Sequence, residues 1–514
     1  GLCRIPKSLW IKGFCYIFSK EFLHFRRIYI ENQIPKRNGG NPMKIKAKQL
    51  SLSDIYDDVQ SFFEEDKPKF IKLFDSFIDL SELIPPSFYA HYYSHFGRHR
   101  DFSLESMLTS LIIQKILSIP TVQLLVHVLK LSKELRELCG FKRVPHPSQF
   151  SRFKSIFLKD LENFFNNLVN LTEPICQAIN PSISNILIAD TTGFEPYVRE
   201  NNPKFFDSLY RNIKKFSKSN PDFDAHSYAC SKMPKFAHSN PDAKFSYING
   251  HYCYSIKATI LTNGLGIIQH ISFYDDDSLN VNTAKSAAES KDLYDSKTLI
   301  PSLKEFFNLH PNFSYRYFLG DAGFDSFDNY KYLFSEHGII PIIPINPRNS
   351  KNLPQPTFNS DGIPTCPRDP SLKMSYDGIV REKGRTTRIK WLCPMSKKVR
   401  LNGKTTYILQ CDNPCTSSKC GRIFYTTLDI DFRKNTVVPR NSKKWSKLYE
   451  KRPIIEKSIS LLKSSIAVDS FKLINTRSIK ADVFLGAITQ HIGLIITAKL
   501  GTFEHPLSLK KLLA

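Results

Sequence analysis

The chain has 514 residues, and its 72 Lys and Arg outnumber its 48 Asp and Glu to leave a formal net charge of +24 at pH 7. That length is enough for two to four domains of about 100–200 residues, and so large a cationic excess points to a polyanionic partner, nucleic acid first and an anionic membrane surface second. The eleven cysteines are odd in number and mostly lack a framework spacing, which excludes a disulfide-stapled secreted scaffold and favours a reducing cytoplasm.

In the N-terminal "GLCRIPKSLWIKGFCYIFSKEFLHFRR", Lys7, Lys12, Lys20 and Glu21 interrupt any apolar run long enough for a signal peptide. Residues 1–43 read as a basic extension, with Met43 a candidate start. From about Ser51 to Val169 the apolar spacing is helical, and Pro120 breaks it into at least two helices. "VPHPSQFSRFKSIF" then opens a further helix, with Ser148 in a capping position and Arg152 and Lys154 on its body. Two readings stay open here: a helix-turn-helix-like DNA reader, or a helical bundle with a solvated basic face. Residues 44–178 are assigned as an all-α N-terminal DNA-binding domain.

At "SNILIAD", Ser184 to Asp190, the pattern changes to a short apolar strand that ends on a carboxylate. A basic, loop-rich stretch follows to about Phe245, with Lys204, Arg211, Lys214, Lys215 and Lys218. "YCYSIKATILTN" and "GIIQHISFYD" flank the turn signal "NGLG" and predict a hairpin. "SYRYFLGDAGFDS" is a strand running into a turn at Gly320 and Asp321, and "GIIPIIPINPRN" is a strand interrupted by prolines. Residues 179–349 form the first part of an α/β core. Residues 350–440, rich in Pro, Gly, Lys and Cys, read as a β-rich insertion, and 441–514 return to the core as helix. Within that last part Val483 to Leu500 is long enough to span a membrane, but Gln490 and His491 at its middle make it a buried core helix instead.

Three carboxylates stand out by context: Asp190 and Asp321 at strand ends, and Glu456 in "YEKRPIIEKSISLLK". On one helix, Tyr449, Arg452, Glu456 and Lys463 would fall within about 60° of arc at about 100° per residue, a single polar stripe. Strand ends and a nearby helix are where an α/β core gathers distant residues. Gathered carboxylates repel unless cations compensate, and hard oxygen ligands select Mg2+ or Mn2+, which bind substrate phosphates as well. Taken singly, each acid has a plainer role: Asp190 and Asp321 in turns, Glu456 in a surface helical pair.

Together these residues resemble an insertion-sequence DDE transposase, of the branch whose last acid lies in a Tyr-x2-Arg-x3-Glu-x6-Lys signature. "LIADTTG" and "FLGDAGFDS" resemble its first and second Asp motifs, "DAKFSYINGHYCYSIKATI" its hairpin region, and "VPHPSQFSRFKSIF" the end of its helical N-terminal domain. The resemblance covers roughly residues 80 to 500. It implies a ribonuclease-H-like mixed sheet flanked by helices, which cleaves double-stranded DNA at transposon ends and joins the 3′-hydroxyls to a target. By the same resemblance Asp190, Asp321 and Glu456 hold two Mg2+ or Mn2+ ions, and Tyr449, Arg452 and Lys463 contact DNA. It further implies a cytoplasmic, nucleoid-associated protein that acts as a homodimer on paired ends. Pro453 departs from the continuous stripe, since proline forces a kink or a helix start. A helix beginning there would leave Tyr449 and Arg452 on the preceding turn.

Other features compete or add. Asp275 to Asp277 and the pair Asp429 and Asp431 read as solvated charges, and Asp325 as a supporting acid near Asp321. Cys393, Cys411, Cys415 and Cys420, with Cys366 upstream, are candidates for a structural Zn2+ in the insertion, although their spacing is looser than a CxxC pair. A repurposed transposase that only binds DNA, and a nuclease that cuts without joining, are the alternative functions.

Overall fold

The computed structural model describes residues 69–94, 99–217, 223–274, 295–346, 356–359, 363–382, 387–401, 404–427, 432–433, 436–440, 442–465 and 472–501. The chain divides into two units, 1–67 and 68–514, and all the described residues belong to the second. The expected basic extension over 1–43, with Met43, lies outside the described residues, as do Lys218, Asp275 to Asp277, Asp429 and Asp431.

The first half of the described chain is helical: α1 Lys69–Phe77, α2 Leu80–Leu83, α3 Pro86–Tyr92, α4 Leu104–Ile116, α5 Val122–Leu131, α6 Lys133–Leu138, α7 Pro147–Ile156, α8 Leu158–Ile179 and α9 Pro181–Ser184. Pro120 falls between α4 and α5, and α5 starts behind the Thr121 cap, whose hydroxyl accepts from the Leu124 amide. The cap of α7 is His146 rather than the expected Ser148. His146 Nδ1 accepts the Ser148 amide at 3.3 Å, and the Gln149 side chain accepts the His146 amide at 2.8 Å, a reciprocal box that pushes Ser148 into the first turn.

The sheet that follows is mixed. Its strands are β1 Ile186–Phe194, β2 Lys244–Ile248, β3 His251–Asn263, β4 Ile268–Phe273, β5 Tyr317–Leu319 and β6 Ile340–Ile342. β3 lies antiparallel to β1, β2 and β4, while β5 runs parallel to β1, and β6 to β5. The predicted hairpin is β3–β4, closed by Asn263, whose side-chain oxygen accepts from the Leu265 and Ile267 amides at 3.1 Å each. A second hairpin, β2–β3, turns at Asn249 and Gly250, both at positive φ (57° and 85°), as an Asn-Gly turn between twisted strands requires.

The stretch expected to be loop between β1 and β2 carries two helices, α10 Pro203–Ser217 and α11 Ala225–Ser231. Phe205, Phe206, Leu209, Tyr210 and Ile213 recur at helical spacing there and serve two small clusters that share Phe206 and Leu209, one with Val198 and Tyr254 and the other with Ala229. Among the described residues of 350–440 the regular elements are all strands: β7 Ser375–Val380, β8 Arg388–Leu392, β9 Ser396–Leu401, β10 Lys404–Leu409 and β11 Ile423–Thr427. They pair as an antiparallel sheet β11-β8-β7 and a hairpin β9–β10.

Both faces of the main sheet are buried. Leu187, Ala189, Leu261 and Phe318 pack with α12 Asp295–Leu309 and α13 Phe327–His337. On the other face Ile186, Ile188, Ile256, Ile260 and Leu319 share one continuous core with the N-terminal helices and with α14 Lys443–Tyr449, α15 Pro453–Ser460 and α16 Thr476–Leu500.

Among the described residues α16 is the one helix long and apolar enough to cross a membrane, and it lies buried inside the protein. The polar residues at its middle serve the sheet. Gln490 accepts the Ile268 amide at 2.9 Å, and His491 Nε2 donates to the Ile268 carbonyl at 2.8 Å, so the backbone of β4 is paired where it meets the helix.

Candidate active site

Asp190 and Asp321 stand at one level, the first within β1 and the second just past the end of the neighbouring parallel strand β5. The register pairs Ile186 with Tyr317 and Ile188 with Leu319, and two residues further along each strand stand the two aspartates. Equal spacing from paired residues puts both on the face that α15 covers. β1 and β5 are apolar and buried up to this point, and Asp321 stands just past the end of β5, but β1 does not end on Asp190 as expected: it runs on to Phe194, because β3 continues to pair with it, and Asp190 lies opposite Ile260 within the strand. Asp321 also caps the short turn Ala322–Phe324, accepting the Gly323 amide at 2.9 Å.

Glu456 arrives on the first turn of α15, where the positive end of the helix dipole favours an acid. Pro453 is the first residue of that helix, as its missing amide demands. Tyr449 therefore ends α14, and Arg452 sits on the joining turn. The chain nonetheless stays right-handed through the joint. Arg452 has φ −57° and ψ −39°, and three-residue hydrogen bonds run from Arg452 to Tyr449, from Ile454 to Lys451 and from Ile455 to Arg452. The polar stripe survives although the single helix does not.

Arg452 is the hub. Its guanidinium donates to Asp190 at 3.2 Å and to Glu456 through its other amino group, and its side chain is only 15% exposed. Tyr449 stacks on Trp445 with ring centroids 4.7 Å apart. Burial raises its phenol, with Arg452 opposing and Asp321 and Asp190 reinforcing. Lys463 lies in a π-turn, Leu461–Ser465, and donates to the Gly193 carbonyl at 2.8 Å and to the Asn249 side chain at 3.1 Å. All four signature residues thus gather round the end of β1.

A fourth acid completes the group. Asp295 opens α12 and accepts from the Thr191 hydroxyl at 3.0 Å and from the Lys257 ammonium. A Cβ on Gly323 would lie 2.9 Å from an Asp321 oxygen and 3.1 Å from an Asp295 oxygen, so a larger residue there would push both carboxylates from their present positions. Sequence reasoning missed Asp295 because "LYDSK" offers no motif. The available signal was an acid at a helix N-terminus.

Burial pushes Asp190 up to about 6, against the pull of Arg452 and with the push of Asp321. Burial raises Asp321 as well, with Arg452 opposing and Asp295 reinforcing. Half-buried acids that resist ionisation beside one another bind divalent cations favourably, and an all-oxygen donor set suits Mg2+ or Mn2+ rather than a thiophilic ion.

Arg152 and Lys154 part company. Arg152 is exposed and folds back on Ser148. Lys154, expected on DNA, is 1% exposed and lies 2.9 Å from Asp482 of α16, which also pairs with Lys115 at 2.9 Å. Position 154 falls on the inner side of α7 beside Phe150 and Phe153, and the acid on α16 compensates its charge. Asp325 is fully buried and gripped by both arms of Arg433 at 2.7 and 2.6 Å, a tie between β5 and the insertion. Among the described residues no three of Cys366, Cys393, Cys411, Cys415 and Cys420 bring their sulfurs within 4.8 Å of one another.

A mixed α/β sheet with acids gathered from a strand, a strand end and two helix starts, in a strongly basic chain, suits divalent cations beside a polyanion. A family model described as "Transposase DDE domain" matches residues 230–490, more than half of the chain, and the chain belongs to that family. A second model, a transposase domain, matches residues 58–155. Asp321 and Glu456 lie inside the first match and Asp190 before it. No curated protein matches the chain. Membership implies an enzyme that cuts and joins DNA, and the family generally uses divalent metal ions.

Proposed function

We propose that the protein cleaves double-stranded DNA at the ends of its mobile element and transfers the freed 3′-ends into a target, with Asp190, Asp321 and Glu456 as the ligands of two Mg2+ or Mn2+ ions. The observation that carries this reading is the placement of the two aspartates at one level on adjacent parallel strands, with Arg452 joining Asp190 to Glu456. The strand order β4-β3-β1-β5-β6, with β3 alone reversed, supports a ribonuclease-H-like core. The spacing of Tyr449, Arg452, Glu456 and Lys463 supports the branch with that signature.

Two bound divalent ions would activate the attacking hydroxyl and offset charge on the leaving oxygen. The chain's own residues do the rest. Asp190 and Asp321 present oxygens from a rigid sheet, and Glu456 presents its own from a helix start. With Asp190 and Glu456 otherwise neutralised, the Arg452 guanidinium would be free to grip a backbone phosphate in its planar fork. Tyr449 offers a stacking face to an end nucleotide, and Lys463 a point charge. Arg152, exposed on α7, contacts the duplex farther from the chemistry. Paired ends call for two copies of the chain.

The test is cleavage and joining of DNA that carries the element's own ends, with Mg2+ and with EDTA. Asp190→Asn, Asp321→Asn and Glu456→Gln should each abolish both products while duplex binding persists. Normal cleavage by any of the three removes that residue from the site. Cleaved ends that never join would make the protein a nuclease.

A further inference from the structure

A second, chemically different cluster lies just past the C-terminal end of β1, beyond Asp190 and Gly193. Glu195 follows the last residue of that strand, and the register pairs Phe194 with Ile256, so Glu195 comes opposite Ser255. His251, Cys253 and Ser255 alternate along β3 and share a face with Glu195. One oxygen, one imidazole nitrogen and one sulfur from Glu195, His251 and Cys253 all lie within 4.8 Å of one another. His251 Nε2 stands 3.1 Å from Glu195 Oε1.

The geometry around the pair leaves Nε2 directed at the carboxylate. His251 Nδ1 lies 3.4 Å from the Asn249 carbonyl. The Glu195 oxygen that faces Nε2 at 3.1 Å also accepts from the Asn249 amide at 3.2 Å. A proton on Nε2 bridges the pair when no ion is bound, and a metal cation can take that proton's place. The separation fits two ligands of one tetrahedral ion, which at metal distances of about 2.1 Å stand about 3.4 Å apart. A ligating histidine whose other nitrogen donates to a backbone carbonyl is also the usual outer arrangement at such ions.

We propose that Glu195, His251 and Cys253 form a binding site for a Zn2+-class ion, separate from the oxygen-only site at Asp190. The donor set decides the ion. Thiolate and imidazole select zinc over magnesium, and binding releases the thiol proton to solvent. Three protein ligands leave a fourth position open, on the side where His251 is 54% exposed. The ion clamps the end of β1 to the β2–β3 hairpin. It also draws Glu195 from Asn249, the residue that holds Lys463.

The test titrates the full-length protein with Zn2+ and with Co2+ in excess Mg2+, following stoichiometry by calorimetry and the thiolate-to-cobalt charge-transfer band by absorption. One ion per chain with that band is expected. Cys253→Ser should abolish the band. His251→Gln, at an exposed position that should not disturb folding, should weaken binding by more than about tenfold, and circular dichroism confirms that each variant is folded. Unchanged stoichiometry and spectrum in both variants would overturn the proposal. So would a band that disappears with Cys393→Ser instead, or the lack of any bound ion in the native protein.

Discussion

At the scale of single residues, Arg452 and Asp295 decide how the acids coexist. Arg452 is the cation between Asp190 and Glu456, and it is mostly buried. Arg452→Ala leaves like charges facing each other. It should cost about 3 kcal/mol in EDTA, typical of removing one partner from a buried pair. Saturating Mg2+ should recover most of that loss, because divalent ions replace the missing charge. Urea unfolding in the two buffers measures both values, and equal losses in each would show that Arg452 does not balance the acids. Asp295 takes its charge from Lys257 and its hydrogen bond from Thr191, the neighbour of Asp190. Asp295→Asn should therefore raise the Mg2+ concentration needed for half-maximal cleavage by about tenfold, as the loss of an outer partner does, with less effect on the rate at saturation. A Mg2+ titration of cleavage separates this from a purely structural defect, which would lower the plateau alone.

At the scale of elements, α16 carries charge and polarity through the middle of the protein. Asp482 holds Lys115 and Lys154 in the core, and the two lysines outweigh the burial that would otherwise raise its carboxyl. Asp482→Asn strands two buried ammonium groups and should destabilise the protein by about 3–5 kcal/mol, read as a shift of the urea midpoint. His491 supplies the pH dependence. Nε2 donates to Ile268, so Nδ1 accepts from Thr172 at 2.7 Å, and burial holds the ring down to about 4 from an ordinary value near 6.5. A base that is harder to protonate when folded binds more protons unfolded. Its contribution, about 3 kcal/mol, is thus complete above pH 6.5 and lost as the pH falls to 4. A urea midpoint that stays level across that window would show that His491 is not held neutral.

At the scale of the whole molecule, the sequence shows much of the order of elements and less of how they pack. The break at Pro120, the β3–β4 turn and the buried nature of α16 were all readable, because proline, an Asn-Gly turn and polar residues in an apolar run each have one local physical meaning. Local signals failed where tertiary partners decide. α10 looked like loop because its lysines masked the spacing of Phe205, Phe206 and Leu209. Asp295 had no local mark. Lys154 and Arg152 stand two apart on one helix, and only the fold reveals that Asp482 claims the first and solvent the second. That difference sets the last prediction. DNA binding by a chain of net charge +24 should weaken steeply with salt, the log–log slope growing by about 0.9 for each phosphate that the protein neutralises. Arg152→Ala should lower the slope by about 0.9 on any duplex, whereas Lys154→Met should leave it unchanged and show its effect in stability alone. Fluorescence anisotropy of a labelled duplex across a salt series measures both slopes. A reduced slope for Lys154→Met, with Arg152→Ala unaltered, would mean that α7 meets DNA through the face now packed on α16.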